Sequence, residues 1–234
     1  MGSIIDRMME DEKREHENRY KAMKKARIET MKKLNLPRVI GFTGKAKSGK
    51  DTAASVLVHE IGSGNCTTMA FADPLKQIAM IFGFTKEQCY DQSKKEIEDE
   101  FWGITPRKFL QITGTECFRN NFRTDCWTKL LEKRVLDIRK RMTEGEMVPW
   151  LILVTDVRFP NEVDCVKSLG GIVVKVTRPT IDTTGNMYKH PSEVFIDELK
   201  ADISIENTFD NVDDYKSHCK NMFIEWLKKE QLVS

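Results

Sequence analysis

A short β-prone run, Val39-Ile40-Gly41-Phe42-Thr43, leads directly into Gly44-Lys45-Ala46-Lys47-Ser48-Gly49-Lys50-Asp51-Thr52, and an apolar-periodic stretch follows from Asp51 to Ile61. Strand, glycine-rich turn and helix, in that order, are the context in which G-x-x-x-x-G-K holds phosphate. The glycines let the backbone curl until successive N–H groups converge on one anion. The helix that follows adds the partial positive charge of its first turn. Lys50 is placed to reach the outer phosphates of a nucleotide, and Lys47 adds charge at the lip. Asp51 stands where Ser or Thr ordinarily ligates magnesium, and a hydroxyl arrives only at Thr52. A carboxylate is a good hard-oxygen ligand for Mg²⁺, so Asp51 and Thr52 share the expected metal role. Gly44, Lys47, Ser48, Gly49, Lys50, Asp51 and Thr52 form the expected nucleotide-binding set.

The same alternation continues along the chain. Further strands are predicted at Cys66–Phe71, Trp150–Thr155, Gly171–Val176 and Ala201–Ile205. Helices are predicted at Leu75–Phe82 and Val212–Lys229, and the stretch Thr85–Gly145 reads as helical throughout. Five strands interleaved with helices predict an α/β fold, a parallel sheet flanked by helices on both faces. Ligands in such sheets bind at the carboxyl ends of the strands. There the sequence places Asp73 and Lys76 after the second strand and Asp156 and Arg158 after the third. Arg107, on a helix of the middle region, adds to them.

Residues 37–234 make up this domain, with a helical insertion at about 84–145. Residues 1–36 are set apart as a charged helical extension with ten Lys and Arg against seven acids. Its apolar stripe is thin: Tyr20, Met23, Arg27, Met31 and Leu34, stopped by Pro37. It reads either as a solvated helix or as one that binds a partner or a second copy of the chain. The net charge of +2 is too small to argue for nucleic acid, and the basic stretch His16–Asn35 lacks interleaved aromatics. No apolar run is long enough for a membrane span. Six scattered cysteines without ligand spacing predict reduced thiols and a cytoplasmic location.

Beyond the phosphate loop with its Lys-Asp-Thr ending, the chain carries Phe71-Ala72-Asp73-Pro74-Leu75-Lys76 and Gln111-Ile112-Thr113-Gly114-Thr115-Glu116, then Arg119, Asp125 and Trp127. Asp156-Val157-Arg158-Phe159-Pro160-Asn161-Glu162, Val176-Thr177-Arg178-Pro179 and His190-Pro191-Ser192-Glu193 follow in order. This ordered set, over roughly residues 38–229, resembles the deoxynucleoside monophosphate kinases of bacteriophages and large DNA viruses. Thr113 departs from the apolar residue expected before Gly-Thr.

The resemblance implies a P-loop kinase fold, a location in the host cell cytoplasm if the source is viral, and conversion of deoxynucleoside monophosphates to diphosphates with ATP and Mg²⁺. It places Asp73, Lys76, Arg107, Gly114, Thr115, Trp127, Asp156, Arg158 and Glu162 around the acceptor. The expected roles are Lys50 on the donor, Arg158 and Arg107 on the acceptor phosphate, and Asp156 beside magnesium. Trp127 would stack on a base or sugar and Glu162 would bond the sugar or base. Arg178, or residues near Lys189, would serve as a lid.

Plainer roles stand beside these. Asp73 reads equally as a helix-start residue, Trp127 as a core aromatic, and Asp156 with Arg158 as a surface pair. Glu116 and Arg119 read as an i,i+3 pair, and His190 with Glu193 as a helix start. Two other functions compete. Ser48-Gly49-Lys50-Asp51, Pro74-Leu75-Lys76 and Asp156 also resemble phosphomevalonate kinase. A nucleotide-binding module without transferase activity is the reading from another class, although the base-reading Asn/Thr-Lys-x-Asp of guanine-nucleotide switches is absent.

Overall fold

Arg38–Thr43 forms β1, buried on both faces from Val39 onward because it lies between two parallel neighbours. In this computed structural model, which describes residues 4–33, 38–180, 195–230 and 232, β1 runs beside Leu151–Val157 (β3) and Ile172–Thr177 (β4). Cys66–Met69 (β2) pairs with β3, and Ile203–Glu206 (β5) pairs with β4. The order is β2-β3-β1-β4-β5, all parallel. Parallel strands covered on both faces read as near-continuous apolar runs, and Leu151, Ile152, Leu153 and Val154 are fully buried. The five expected strands are present, with boundaries moved by one to two residues.

Two apolar layers cover the sheet. On one face lie Lys50–Ile61 (α2) and Val212–Lys229 (α8), where Phe42 of β1 meets Phe223 edge-on at 6.0 Å. On the other lie Asp73–Ile81 (α3), Cys126–Thr143 (α6) and Pro160–Ser168 (α7). Trp127, Leu131, Val135, Ile138 and Met142 recur at spacings of three and four on α6 and are all buried, as an amphipathic helix requires.

The middle region is less helical than the sequence suggested. Lys86–Tyr90 (α4) is capped by Thr85, and Pro106–Gln111 (α5) is capped by Thr105. Between them residues 91–105 run as turns, with one bridge, Asp99 to Ile104. The cause is local. Asp91 accepts from the Ser93 N–H and hydroxyl, and Asp99 accepts from the N–H groups of Phe101 and Trp102. Such bonds offer the backbone an alternative to helix. α5 continues into a π-helix, Ile112–Asn120, before α6 begins.

Ile4–Lys33 (α1) is one long helix, on which Tyr20 and Met23 of the thin stripe are exposed. The side chains of Arg27 and Met31, residues Leu34 and Pro37, and the stretch holding Lys189 and His190–Glu193 lie outside the described residues. Among the described residues no helix is long and apolar enough to cross a membrane.

Candidate active site

The turn from β1 into α2 is built on conformations few residues accept. Gly44 has φ 153° and Gly49 φ 100°. A Cβ on Gly44 would stand 2.3 Å from the Val176 carbonyl oxygen, and one on Gly49 would stand 2.7 Å from Asn207 Nδ2. Lys47 also adopts a left-handed conformation, φ 67°, which is uncommon outside glycine and typical of curled anion-binding turns. Residues far along the chain clamp the loop. Asn207, just after β5, donates to the Ser48 carbonyl at 3.0 Å, and the Tyr215 hydroxyl donates to the Gly49 carbonyl at 3.2 Å. Lys45 is held by Asp197 at 2.6 Å.

The Ser48 N–H is spent on the Lys45 carbonyl at 3.1 Å, but two hydroxyls at the loop are not spent on protein. The buried hydroxyls of Thr43 and Ser48 have no hydrogen-bond partner among the described residues. Lys50 is buried, with Asp51 as a loose neighbour at 3.4 Å. Buried polar groups are ordinarily bonded, so this arrangement fits a phosphate chain. Asp51 is exposed and Thr52 half-buried beside it. They offer two hard oxygens, and no group of three or more acidic, His or Cys side chains suited to a metal occurs among the described residues. That donor set fits Mg²⁺, which keeps waters and shares substrate phosphates. A cavity of about 250 Å³ opens beside the loop. Lys47, Thr52, Arg178, Asn207, Phe209 and Tyr215 are among the residues that line it. Sequence reading passed over Asn207, Phe209 and Tyr215, although a polar residue directly after the fifth strand was the available signal.

The loops after β2 and β3 meet. Both Asp156 oxygens accept backbone N–H groups, from Phe71 at 2.7 Å and Ala72 at 3.0 Å. The carboxylate expected beside magnesium is thus turned onto the β2–α3 loop. Burial pushes its pKa up, against the two amides and the nearby Arg158 and Lys76. Asp73 accepts from the Ala70 N–H at 2.7 Å and lies 3.7 Å from Lys76, whose ammonium sits over the Tyr90 ring at 4.1 Å. Arg107 pairs with Glu96 and reaches Gln92 Oε1 at 3.2 Å.

Glu162 is buried, and both of its oxygens are held by protein donors. One oxygen accepts the N–H groups of Arg158 at 2.8 Å and Phe159 at 3.2 Å, and the other accepts from Arg119. Burial, then the neighbouring Asp156, pushes its pKa up to about 7, against Arg119 and the amide. Arg119 therefore pairs with Glu162 and not with Glu116, and its guanidinium stacks over Phe159 at 4.1 Å. Trp127 is a core residue. It is buried, packs 5.1 Å from Phe118 and donates to the Gly114 carbonyl at 3.1 Å. Gly114 is buried against Leu75, and Thr115 beside it is half-buried.

A family model described as deoxynucleotide monophosphate kinase matches residues 79–218. A protein of Acanthamoeba polyphaga mimivirus, named as a proposed deoxynucleotide monophosphate kinase, is 37% identical over 177 residues, 72% of this chain and 88% of that protein. The deoxynucleoside-5'-monophosphate kinase of Escherichia phage T5 is 24% identical over 78% of this chain and 94% of its own. Among solved structures, dephospho-CoA kinase from Campylobacter jejuni aligns with 80% of this chain and 96% of its own, at 18% identity and a TM-score of 0.36.

Proposed function

Since the chain belongs to the deoxynucleotide monophosphate kinase family, we propose that it moves the terminal phosphoryl group of ATP onto the phosphate of a deoxynucleoside monophosphate, with Mg²⁺. The observation that carries this reading is the placing of two cationic groups at one edge of the sheet. The phosphate loop with Lys50 follows β1, while Lys76 and Arg158 follow β2 and β3. A kinase for a phosphorylated acceptor must gather two anions in this way.

The loop amides and the hydroxyls of Thr43 and Ser48 hold the donor phosphates, and Lys50 offsets charge that builds on the transferring group. The cavity lined by Phe209, Tyr215 and Asn207 suits the donor's base and sugar. Asp51 and Thr52 would hold Mg²⁺, which when bound offsets phosphate charge. Arg158 orients the acceptor phosphate, and Gly114 and Thr115 line the acceptor side. Asp156 and Glu162 act as positioning residues, one fixing the β2–α3 loop and the other fixing the backbone at Arg158. No general base is needed, because the acceptor oxygen is already ionised at neutral pH.

The test is coupled-assay turnover with each deoxynucleoside monophosphate, each ribonucleotide and phosphomevalonate, with Lys50→Ala as control. Deoxynucleoside monophosphates should be the substrates. Lys50→Ala should lose orders of magnitude in kcat, and retention above about a tenth, a loss under ~1.4 kcal/mol, would remove Lys50 from the site. Turnover of phosphomevalonate alone would replace the acceptor assignment.

A further inference from the structure

Tyr90 is the last residue of α4 and is 43% exposed. The Lys76 ammonium of α3 sits over its ring, 4.1 Å from the centre. The Lys76 side chain is only 17% exposed, yet among the described residues its ammonium makes no hydrogen bond. One Asp73 oxygen stands 3.7 Å away, while the other accepts the Ala70 N–H at 2.7 Å. Covered polar groups are ordinarily hydrogen-bonded, because the water they give up must be replaced. Around this ammonium a ring face and a loose ion pair stand in for those bonds.

The elements around the pair fix both partners. Thr85 and Gln88 cap α4 reciprocally: the Thr85 N–H donates to Gln88 Oε1 at 2.7 Å, and the Gln88 N–H donates to Thr85 Oγ1 at 3.1 Å. Gln88 Nε2 also donates to Asp99 at 3.1 Å. Cys89, beside Tyr90, is fully buried with Ala79 of α3 and Phe84, and its thiol donates to the Lys76 carbonyl at 3.8 Å. Just before α3, Asp156 holds the Phe71 and Ala72 N–H groups. The ring attracts the ammonium through the negative face of its π system. A second carboxylate in the ring's place would bond the N–H groups and repel a phosphate. An uncharged ring does neither.

We propose that Tyr90 is a positioning residue of the acceptor site, its ring face holding the Lys76 ammonium in place with N–H groups left for the acceptor's phosphate. This rests on the acceptor assignment under Proposed function, which sets Lys76 and Arg158 at one edge of the sheet. Tyr90→Leu keeps an apolar side chain and removes the π face. It should raise the KM of the best deoxynucleoside monophosphate about threefold or more. The KM for ATP should stay within about twofold. Tyr90→Phe keeps the face and should restore most of the acceptor affinity. In a Lys76→Met background Tyr90→Leu should add nothing, because the group that the ring holds is gone.

Wild-type protein that turns over no deoxynucleoside monophosphate would sink the functional reading and this proposal with it. Given wild-type turnover, any of three results would overturn the proposal alone. They are an acceptor KM unmoved by Tyr90→Leu, a rise as large in Tyr90→Phe, or a rise as large in the Lys76→Met background. Should Tyr90→Leu fail to fold, phenylalanines of increasing fluorine content at position 90 decide. They keep the shape of the ring and progressively weaken its negative face. The acceptor KM should climb with fluorine content while the KM for ATP stays level. An acceptor KM that does not follow the fluorine content would count against the proposal.

Discussion

Glu162 shows how one side chain sets the geometry of residues that sequence reading assigned to the substrate. Its two oxygens fasten the backbone of Arg158 and Phe159 on one side and Arg119 on the other. Every bond it makes is accepted, so an amide in its place would set its own N–H groups against a donor. Glu162→Gln should cost roughly 2–4 kcal/mol, from the unpaired Arg119 and the lost amide bonds. That corresponds to a fall in Tm of about 5–10 °C for a chain of this size. The acceptor KM should rise as Arg158 loses its fixed backbone, with the KM for ATP little changed. Thermal melts and initial-rate kinetics check both parts, and a Tm within a degree of wild type would show that the network holds nothing.

At the scale of elements, the phosphate loop depends on β5 and α8, far from it in the chain. Gly49 has φ 100°, and a Cβ there would meet Asn207 Nδ2 at 2.7 Å and Tyr215 Cε1 at 2.9 Å. Gly49→Ala therefore adds backbone strain of about 1–3 kcal/mol and pushes away two side chains that clamp the loop. Tm should fall by several degrees and the KM for ATP should rise about tenfold or more, while the acceptor KM stays near wild type. A KM for ATP that does not move would mean that the clamp from β5 and α8 plays no part in shaping the donor site.

For the whole molecule, the sheet and its two apolar layers are complete from β1 onward. Arg38 opens that strand, donating its N–H to the Trp150 carbonyl at 2.9 Å and pairing its side chain with Glu230. α1 shows exposed Tyr20 and Met23, and its ion pairs, such as Arg19 with Glu15, are exposed and local. Exposed pairs of that kind contribute about 0.3–0.5 kcal/mol each. A chain beginning at Leu36 should fold and turn over within about twofold of the full-length protein, because such surface pairs add so little. Self-association or partner binding is the property expected to change, and light scattering beside kcat and Tm tests this. Loss of turnover with an unchanged monomeric mass would make residues 1–36 part of the catalytic domain.

The phosphate loop was legible because its chemistry is contiguous: nine consecutive residues carry the glycines, the lysines and the oxygens proposed for Mg²⁺. The parallel sheet was legible too, since strands buried on both faces leave apolar runs that no exposed segment shares. The turns at 91–105 were hidden because Asp91 and Asp99 satisfy backbone groups through side-chain bonds, which leave no hydrophobic period to read. Tertiary structure alone decided the long-range pairs: Arg119 with Glu162, Asn207 with Ser48, and Asp156 with Phe71 and Ala72. Charged residues of this kind look like solvated surface in a linear sequence. Only the packing of helices over the sheet's carboxyl edge determines which of them lose water and which carboxylates are already taken.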